Sequence, residues 1–260
     1  MNRTIHFAHG NGFPSPCYKQ LFDGLGNNFS ISYIDMLGHN PNYPITENWQ
    51  FLVDELIENI TRNHQQPVIG MGHSLGGVLT LLASFKRPDC FQSIVLLDAP
   101  MFGVRKSSLI KLIKTFGLID QVTPASRIEK RLDKWESRES LKQYLTTKKL
   151  YKNFDPLCIE DYIDNALYQD ENGHYCLRYD KKREGQIYRT VPHNMPKQYC
   201  QQNLPVILIY GESSDIIGKL DLRVMKAKYR FKTYACKGGH MFPFEQPRLA
   251  ADLISQALAE

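Results

Sequence analysis

The stretch Val68-Ile-Gly-Met-Gly-His-Ser-Leu-Gly-Gly77 decides the fold. An apolar, β-rich run leads into Ser74, which has a glycine two residues away on each side, and a helical pattern follows. A G-x-S-x-G pattern in this setting predicts a sharp turn from strand to helix, in which the serine backbone is strained and the glycines avoid clashes. The serine then stands exposed at a helix N-terminus, where backbone amides favour negative charge. Ser74 is therefore a candidate nucleophile.

Short apolar runs alternate with amphipathic patterns on both sides of this stretch. The strand candidates are Ile5–Ala8, Phe29–Asp35, Val68–Met71, Ile94–Leu97, Val206–Tyr210 and Phe231–Ala235. Apolar residues recur at helical spacing from Trp49 to Ile60, a second helix is predicted from Gly76 to before Pro88, and a third starts at Pro247. Runs that are apolar on both faces suit a parallel sheet. The alternation predicts an α/β fold with a mostly parallel, doubly wound sheet.

The strand pattern stops after Asp98 and resumes at Val206. Between them we find helical stripes at 109–116, 128–135 and 157–166, and a hairpin signal at Asn172-Gly173 that leads into 175–179. We therefore predict a core domain formed by residues 1–99 and 204–260, with residues 100–203 inserted as a helical cap. Each stripe is expected to bury one face against the carboxyl ends of the core strands.

Two further loops supply partners for Ser74. His240 lies in a glycine-containing loop after the last strand candidate, and imidazole has the pKa that a base for a serine hydroxyl needs. Asp215 follows another strand candidate and is our predicted acid, which would orient His240 and stabilise its protonated form. Asp98, at the end of the preceding strand, and Glu212, in the same loop as Asp215, are the alternatives.

The loop Phe7-Ala-His-Gly-Asn-Gly-Phe-Pro14 follows the first strand candidate. A turn at this position can offer a backbone N–H to an oxyanion, together with the N–H of the residue after the nucleophile, Leu75. By position Asn11 is the expected donor, with Gly12 or Phe13 as shifts of one or two residues. His9 is interpreted as a structural histidine whose ring binds backbone groups.

These motifs resemble those of the α/β-hydrolase family with a serine nucleophile. The resemblance covers residues 4–100 and 204–258 and includes His-Gly after the first strand, Gly-His-Ser-Leu-Gly-Gly, Gly-Glu-Ser-Ser-Asp, and Gly-Gly-His followed by Glu-Gln-Pro. It implies that the inserted segment is a cap over the site. The chain departs from the larger family pattern because it starts at what is usually the third strand, so the sheet is expected to have six parallel strands. A serine at position 74 disfavours the members with an aspartate nucleophile.

Composition sets broader limits on function. The chain has 260 residues and a net charge of +5, and residues 101–200 hold 19 Lys and Arg against 13 Asp and Glu. This basic excess predicts either solvated helix faces or a positive field for an anionic substrate. Six cysteines without a C-x-x-C pair predict reduced thiols and a cytoplasmic protein. No apolar run reaches the roughly 18 residues of a membrane span, and no leader sequence is recognised.

The combined pattern favours a serine hydrolase that cleaves a small carboxylic ester or thioester through an acyl-enzyme. A lyase or C–C bond hydrolase with the same three residues, or a non-catalytic receptor on this fold, are the alternatives. No cofactor and no metal is expected, because no cluster of metal ligands is recognised in the sequence. We expect a small-molecule substrate and neither a nucleic-acid nor a membrane partner. The natural substrate and the oligomeric state are not predicted.

Overall fold

The computed structural model of the chain describes residues 3–100, 104–194, 204–227 and 229–260. Its strands are β1 (Arg3–Ala8), β2 (Phe29–Tyr33), β3 (Val68–His73), β4 (Phe91–Leu97), β5 (Lys134–Trp135), β6 (Leu167–Gln169), β7 (Tyr175–Leu177), β8 (Val206–Gly211) and β9 (Lys232–Cys236). Its helices are α1 (Lys19–Leu25), α2 (Gln50–Asn63), α3 (Leu75–Lys86), α4 (Val104–Thr115), α5 (Ile119–Val122), α6 (Ala125–Glu129), α7 (Arg138–Thr146), α8 (Pro156–Ala166), α9 (Lys181–Arg189), α10 (Lys219–Ala227), α11 (Phe242–Glu245) and α12 (Pro247–Ala259).

The six strands predicted from the sequence form one parallel sheet in the order β2-β1-β3-β4-β8-β9. This confirms the predicted α/β fold class and its mostly parallel, doubly wound sheet. The chain runs outward from β1 to β2 and then returns past β1 to β3, so the strand order reverses between β1 and β3. In open α/β sheets a crevice forms at the carboxyl ends of strands at such a reversal. The loops after β1 and β3 carry Asn11 and Ser74.

Helices cover both faces of the sheet because each buries an apolar stripe. The α2 stripe predicted from Trp49 to Ile60 is buried, and it shares a hydrophobic cluster with α3 on one face. Helices α1 and α12 contribute Leu21, Leu25 and Ile254 to a second cluster on the other face. Each buried leucine or isoleucine side chain stabilises the fold by about 1.5–3 kcal/mol. No helix within the described ranges is long and apolar enough to cross a membrane.

The inserted segment contains helices α4 to α9 and a small antiparallel sheet in the order β5-β7-β6. The predicted hairpin is present, and Gly173 occupies its turn with a φ of 79°. Trp135, which we expected on a helix, lies in strand β5. The apolar stripe along α4 and the residue after it also differs from expectation, because Leu109, Leu112 and Phe116 are exposed and do not pack against the core.

Other parts of the segment do pack tightly on the core domain. Aromatic rings from both sides meet around Phe13, whose centroid lies 5.3 Å from that of Tyr162 and 5.1 Å from that of Phe244. The ring of Phe154 stacks on Phe244 at 4.9 Å. These contacts belong to the same hydrophobic cluster as α1 and α12. The middle of the segment is thus anchored next to the loop that follows β1.

Candidate active site

The turn between β3 and α3 has the strained geometry predicted from its sequence. Ser74 has φ 51° and ψ −114°, a region that costs a residue other than glycine about 1–3 kcal/mol. A Cβ on Gly72 would lie 2.3 Å from the backbone carbon of Gly76, and a Cβ on Gly76 would lie 2.0 Å from the carbonyl oxygen of Ala8. Only glycine fits at these two positions. The backbone therefore holds Ser74 at the N-terminus of α3.

Ser74 and His240 lie together, as the sequence predicted. The Ser74 hydroxyl donates to Nε2 of His240 over 3.0 Å, and Nδ1–H of His240 donates to Oδ2 of Asp98 over 2.6 Å. The three side chains come from the loops after β3, β9 and β4. Hydroxyl, imidazole and carboxylate thus form a continuous line of hydrogen bonds at the carboxyl edge of the sheet.

Asp98 is held rigidly at the end of β4. Its side chain is fully buried, and its φ of 42° marks a second strained residue in this site. Oδ1 accepts a hydrogen bond from the backbone N–H of Gly211 over 2.9 Å, and Oδ2 also accepts from the Ser214 hydroxyl over 2.5 Å. Both carboxylate oxygens are satisfied, so the orientation of Asp98 towards His240 is fixed.

The predicted partner of His240, Asp215, is therefore corrected: the carboxylate that contacts His240 is that of Asp98, the first of the two alternatives. Asp215 is exposed, as is Glu212. The loop after β8 turns back at once, because the N–H of Ser214 donates to the Gly211 carbonyl over 3.0 Å. This turn brings the Ser214 hydroxyl, not a carboxylate, against Asp98. The loop after β8 thus donates hydrogen bonds to Asp98 and brings no carboxylate of its own to His240.

The loop after β1 narrows the choice among the predicted oxyanion donors. Asn11 lines the same cavity as Ser74, whereas Gly12 is not among the residues that line it. The N–H of Phe13 already donates to the Gly10 carbonyl over 3.1 Å. Leu75 is the first residue of α3, so its N–H has no acceptor within the helix. The geometry is compatible with Asn11 and Leu75 as the two donors.

A buried chain of hydrogen bonds links this loop to His240, and sequence reasoning missed it. The Gly10 N–H donates to the Tyr18 hydroxyl over 3.0 Å, and that hydroxyl donates to Nδ1 of His73 over 2.7 Å. Nε2–H of His73 then donates to the backbone carbonyl of His240 over 2.9 Å. Burial, aided by the nearby His240, lowers the pKa of His73 to about 3, so its ring is neutral. Its place beside Ser74 in the motif was the available signal.

His9 has the structural role that we expected. Its Nδ1–H donates to the Gly10 carbonyl over 2.8 Å, and its Nε2 accepts from the Leu37 N–H over 2.7 Å. Burial lowers the pKa of His9 to about 4, which keeps the ring neutral. Because both ring nitrogens are engaged by backbone groups, His9 fixes the loop and is not available as a base.

A cavity of about 440 Å³ lies over Ser74 and His240. The loops of the core sheet form its floor, and eight of its lining residues come from the inserted segment, including Arg127, Ile128 and Leu150. It is mainly apolar with a few polar groups, as small-molecule sites usually are.

An ion pair within the inserted segment lies next to the loop after β1. The guanidinium of Arg131 binds both carboxylate oxygens of the buried Glu184, over 3.0 and 2.6 Å. The Glu184 backbone carbonyl accepts from the Asn11 side-chain amide over 3.0 Å. Burial raises the pKa of Glu184, and Arg131 opposes that shift. The position of Asn11 thus depends on α9.

We expect Gly12→Ala to damage the site more than Gly26→Ala does. Both glycines have a positive φ, 82° at Gly12 and 62° at Gly26. A Cβ on Gly12 would lie 2.7 Å from Oε1 of Glu184, whereas a Cβ on Gly26 would have no described atom within 4 Å. Alanine should cost roughly 1 kcal/mol at Gly26 and about 2–3 kcal/mol at Gly12, with a lowered kcat only at Gly12. Denaturant unfolding and ester kinetics check this. Equal losses of stability in the two variants would mean that the Glu184 side chain moves aside without cost.

The strand order, the strained Ser74 turn and the Ser74–His240–Asp98 line define the α/β-hydrolase class. The chain matches the model of the alpha/beta hydrolase family over residues 7–253. It therefore belongs to this family and is a hydrolase.

Individual relatives are similar at low identity. The chain is 28% identical over 265 residues to the uncharacterized hydrolase YugF of Bacillus subtilis strain 168, an alignment covering 97% of this chain and 89% of YugF. It is also 28% identical to the type I acyl-CoA thioesterase mpaH of Penicillium roqueforti, over 60% of this chain and 38% of that protein.

Solved structures share the fold. That of E-2-(acetamidomethylene)succinate hydrolase matches with a TM-score of 0.78 at 19% identity, covering all of this chain and 92% of the other. A Mycobacterium tuberculosis esterase matches with a TM-score of 0.74 at 17% identity, covering all of this chain and 86% of the other.

Proposed function

We propose that the protein hydrolyses a small carboxylic ester or thioester through an acyl-enzyme formed on Ser74. The observation that carries the proposal is the line of hydrogen bonds from Ser74 through His240 to the buried Asp98, at the floor of a cavity. A serine hydroxyl becomes a useful nucleophile only when a base accepts its proton, and His240 lies at the distance this needs. The names of similar proteins, an esterase and an acyl-CoA thioesterase, agree with this substrate class.

The reaction proceeds in two halves. In the first, Ser74 attacks the carbonyl carbon while His240 takes its proton, and the tetrahedral oxyanion accepts hydrogen bonds from the N–H groups of Asn11 and Leu75. His240 then protonates the leaving alcohol or thiol, and the acyl group stays on Ser74. In the second, water loses a proton to His240 and attacks the acyl-enzyme, and Ser74 recovers its proton as the acid leaves. Asp98 holds the His240 tautomer and stabilises its protonated form.

A panel of p-nitrophenyl esters and acyl-CoA thioesters of graded acyl length tests this function. We expect turnover of short and medium chains and labelling of Ser74 by a fluorophosphonate probe. Labelling without turnover of any ester or thioester would contradict the proposed substrate class and favour another reaction of the same three residues. Absence of both would contradict the proposed catalysis as a whole.

We further propose that residues 100–203 act as the cap that sets acyl-chain length. Ile128 and Leu150 line the cavity on the side of the inserted segment. We expect Ile128→Trp to lower kcat/KM for p-nitrophenyl octanoate about ten-fold relative to p-nitrophenyl acetate, because the larger ring fills space that a long chain needs.

Leu157→Trp is the matched control for this cap variant. Leu157 also lies in the inserted segment but is 53% exposed and does not line the cavity. It should leave the octanoate-to-acetate ratio within about two-fold, since surface substitutions are usually tolerated. An unchanged ratio in both variants would mean that the core domain sets the chain length.

A further inference from the structure

The cavity over Ser74 contains one positive charge that no described residue neutralises. Arg131 and Glu184 both line the cavity, and their opposite charges neutralise each other in an ion pair with two hydrogen bonds. Arg127 on α6 also lines it, is exposed, and makes no ion pair or hydrogen bond with any residue that the structure describes. Other arginines of the inserted segment differ from it in this respect. Arg138 and Arg189 each bind two acidic side chains.

Two buried donors in residues that line this cavity or the adjoining one also lack acceptors. Nε–H of Arg131 is buried and has no hydrogen-bond partner in the described part of the chain. The same holds for Nε1–H of Trp135, which lines an adjoining cavity of about 170 Å³. Arg131, Leu150 and Tyr151 line both cavities. A buried N–H without an acceptor costs about 1–3 kcal/mol, and an acceptor that met either group after a small shift of its side chain would recover that loss.

We propose that Arg127 binds a carboxylate on the substrate and so makes the enzyme selective for anionic esters or thioesters. This rests on the proposed function, because Ser74 must hold the carbonyl carbon while the distant carboxylate meets Arg127. A carboxylate offers two oxygens to a guanidinium and forms a charge-assisted pair with it, which no neutral acyl tail does. Residues 101–200 also hold 19 basic against 13 acidic residues, and this net positive charge attracts anions to the segment.

Two p-nitrophenyl esters with five-carbon acyl groups provide the kinetic test. One is the neutral valerate, and the other is the mono-ester of glutarate, which ends in a carboxylate. We expect the wild-type enzyme to favour the glutarate ester by about ten-fold in kcat/KM at low salt, as a charge-assisted hydrogen bond permits. The preference should decline as salt rises to about 0.5 M, because the charges are screened.

Arg127→Gln should bring the glutarate-to-valerate ratio close to one. The control is Lys130→Gln, which removes one positive charge at the end of the same helix from an exposed residue that does not line the cavity. It should keep the wild-type ratio within about two-fold. A ratio that falls equally in both variants would indicate a general attraction of anions by the cap and would overturn the assignment to Arg127. A ratio that Arg127→Gln leaves unchanged would also overturn it.

Glutarate binding to Ser74→Ala separates this inference from the proposed function, since it requires no turnover. In calorimetric titrations glutarate should bind this variant about ten-fold more tightly than it binds the variant that also carries Arg127→Gln. That result supports the carboxylate site even if neither ester is hydrolysed. Equal binding, or no binding to either variant, overturns it even if Ser74 proves to be the nucleophile.

Discussion

Ser74→Ala is expected to lower kcat for the best ester of the panel by roughly 10⁴- to 10⁶-fold while the fold is retained. The loss is large because the hydroxyl is the attacking atom in the proposed reaction, and His240 has no other proton to accept within the line of hydrogen bonds. Alanine keeps the Cβ of serine, so the packing around the turn does not change. Steady-state kinetics with p-nitrophenyl esters measure the loss, and circular dichroism confirms the fold.

Ser74→Gly is a useful companion variant. Glycine removes the same hydroxyl but relieves the strain of a φ of 51°. The free energy of unfolding of Ser74→Gly should therefore exceed that of Ser74→Ala by about 1 kcal/mol, as measured by denaturant unfolding. Both variants should be equally inactive and resist labelling by a fluorophosphonate. Ester turnover near the wild-type rate in either variant would end the proposal that Ser74 is the nucleophile.

Much of the fold could be predicted because the sheet is buried on both faces. Each strand of the parallel sheet must then be a short apolar run, and the helices between them must carry one apolar stripe, as in α2. The turn at Ser74 was equally visible, since Gly72 and Gly76 are required by close backbone contacts and not by a side chain elsewhere. These features are local, so a single sequence carries them.

The interior of the inserted segment was less predictable. A stripe such as Leu109, Leu112 and Phe116 tells which side of a helix is apolar, but it does not tell whether another element covers that side. The buried pair of Arg131 and Glu184 joins positions 53 residues apart, and neither residue stands in a motif. Long-range pairs of this kind depend on how helices pack, which periodicity does not encode.

The sequence also led to the wrong aspartate as the neighbour of His240, for a related reason. Aspartates follow two neighbouring strands, β4 and β8, and either loop lies at the edge of the sheet near His240. The choice depends on the direction of each side chain. Asp98 follows β4 directly and is turned inward by its positive φ, whereas Asp215 lies four residues beyond β8 and points to solvent. An aspartate attached directly to the end of its strand thus has a more restricted side-chain direction than one farther along a loop.

Asp98→Asn is expected to lower kcat by about 10³- to 10⁴-fold. Oδ1 of the asparagine would still accept from the Gly211 N–H, so its amide nitrogen would face Nδ1 of His240. Two N–H donors cannot share that position, and His240 would adopt the other tautomer, with its proton on Nε2. That nitrogen could then no longer accept the proton of Ser74. Turnover of the best ester measures the effect, and thermal unfolding distinguishes it from a loss of structure.

Asp215→Asn is the matched control because it makes the same chemical change at the other aspartate. Its carboxylate is exposed, and we expect kcat to remain within about two-fold of the wild-type value. The Ser214→Ala variant gives an intermediate case, since it removes one hydrogen bond to Oδ2 of Asp98 and leaves His240 in the correct tautomer. Its loss should be near ten-fold, as one supporting hydrogen bond of about 1–1.5 kcal/mol implies. A large loss at Asp215 and a small one at Asp98 would return the acid to the loop after β8, and the buried carboxylate of Asp98 would then serve only to hold that loop to β4.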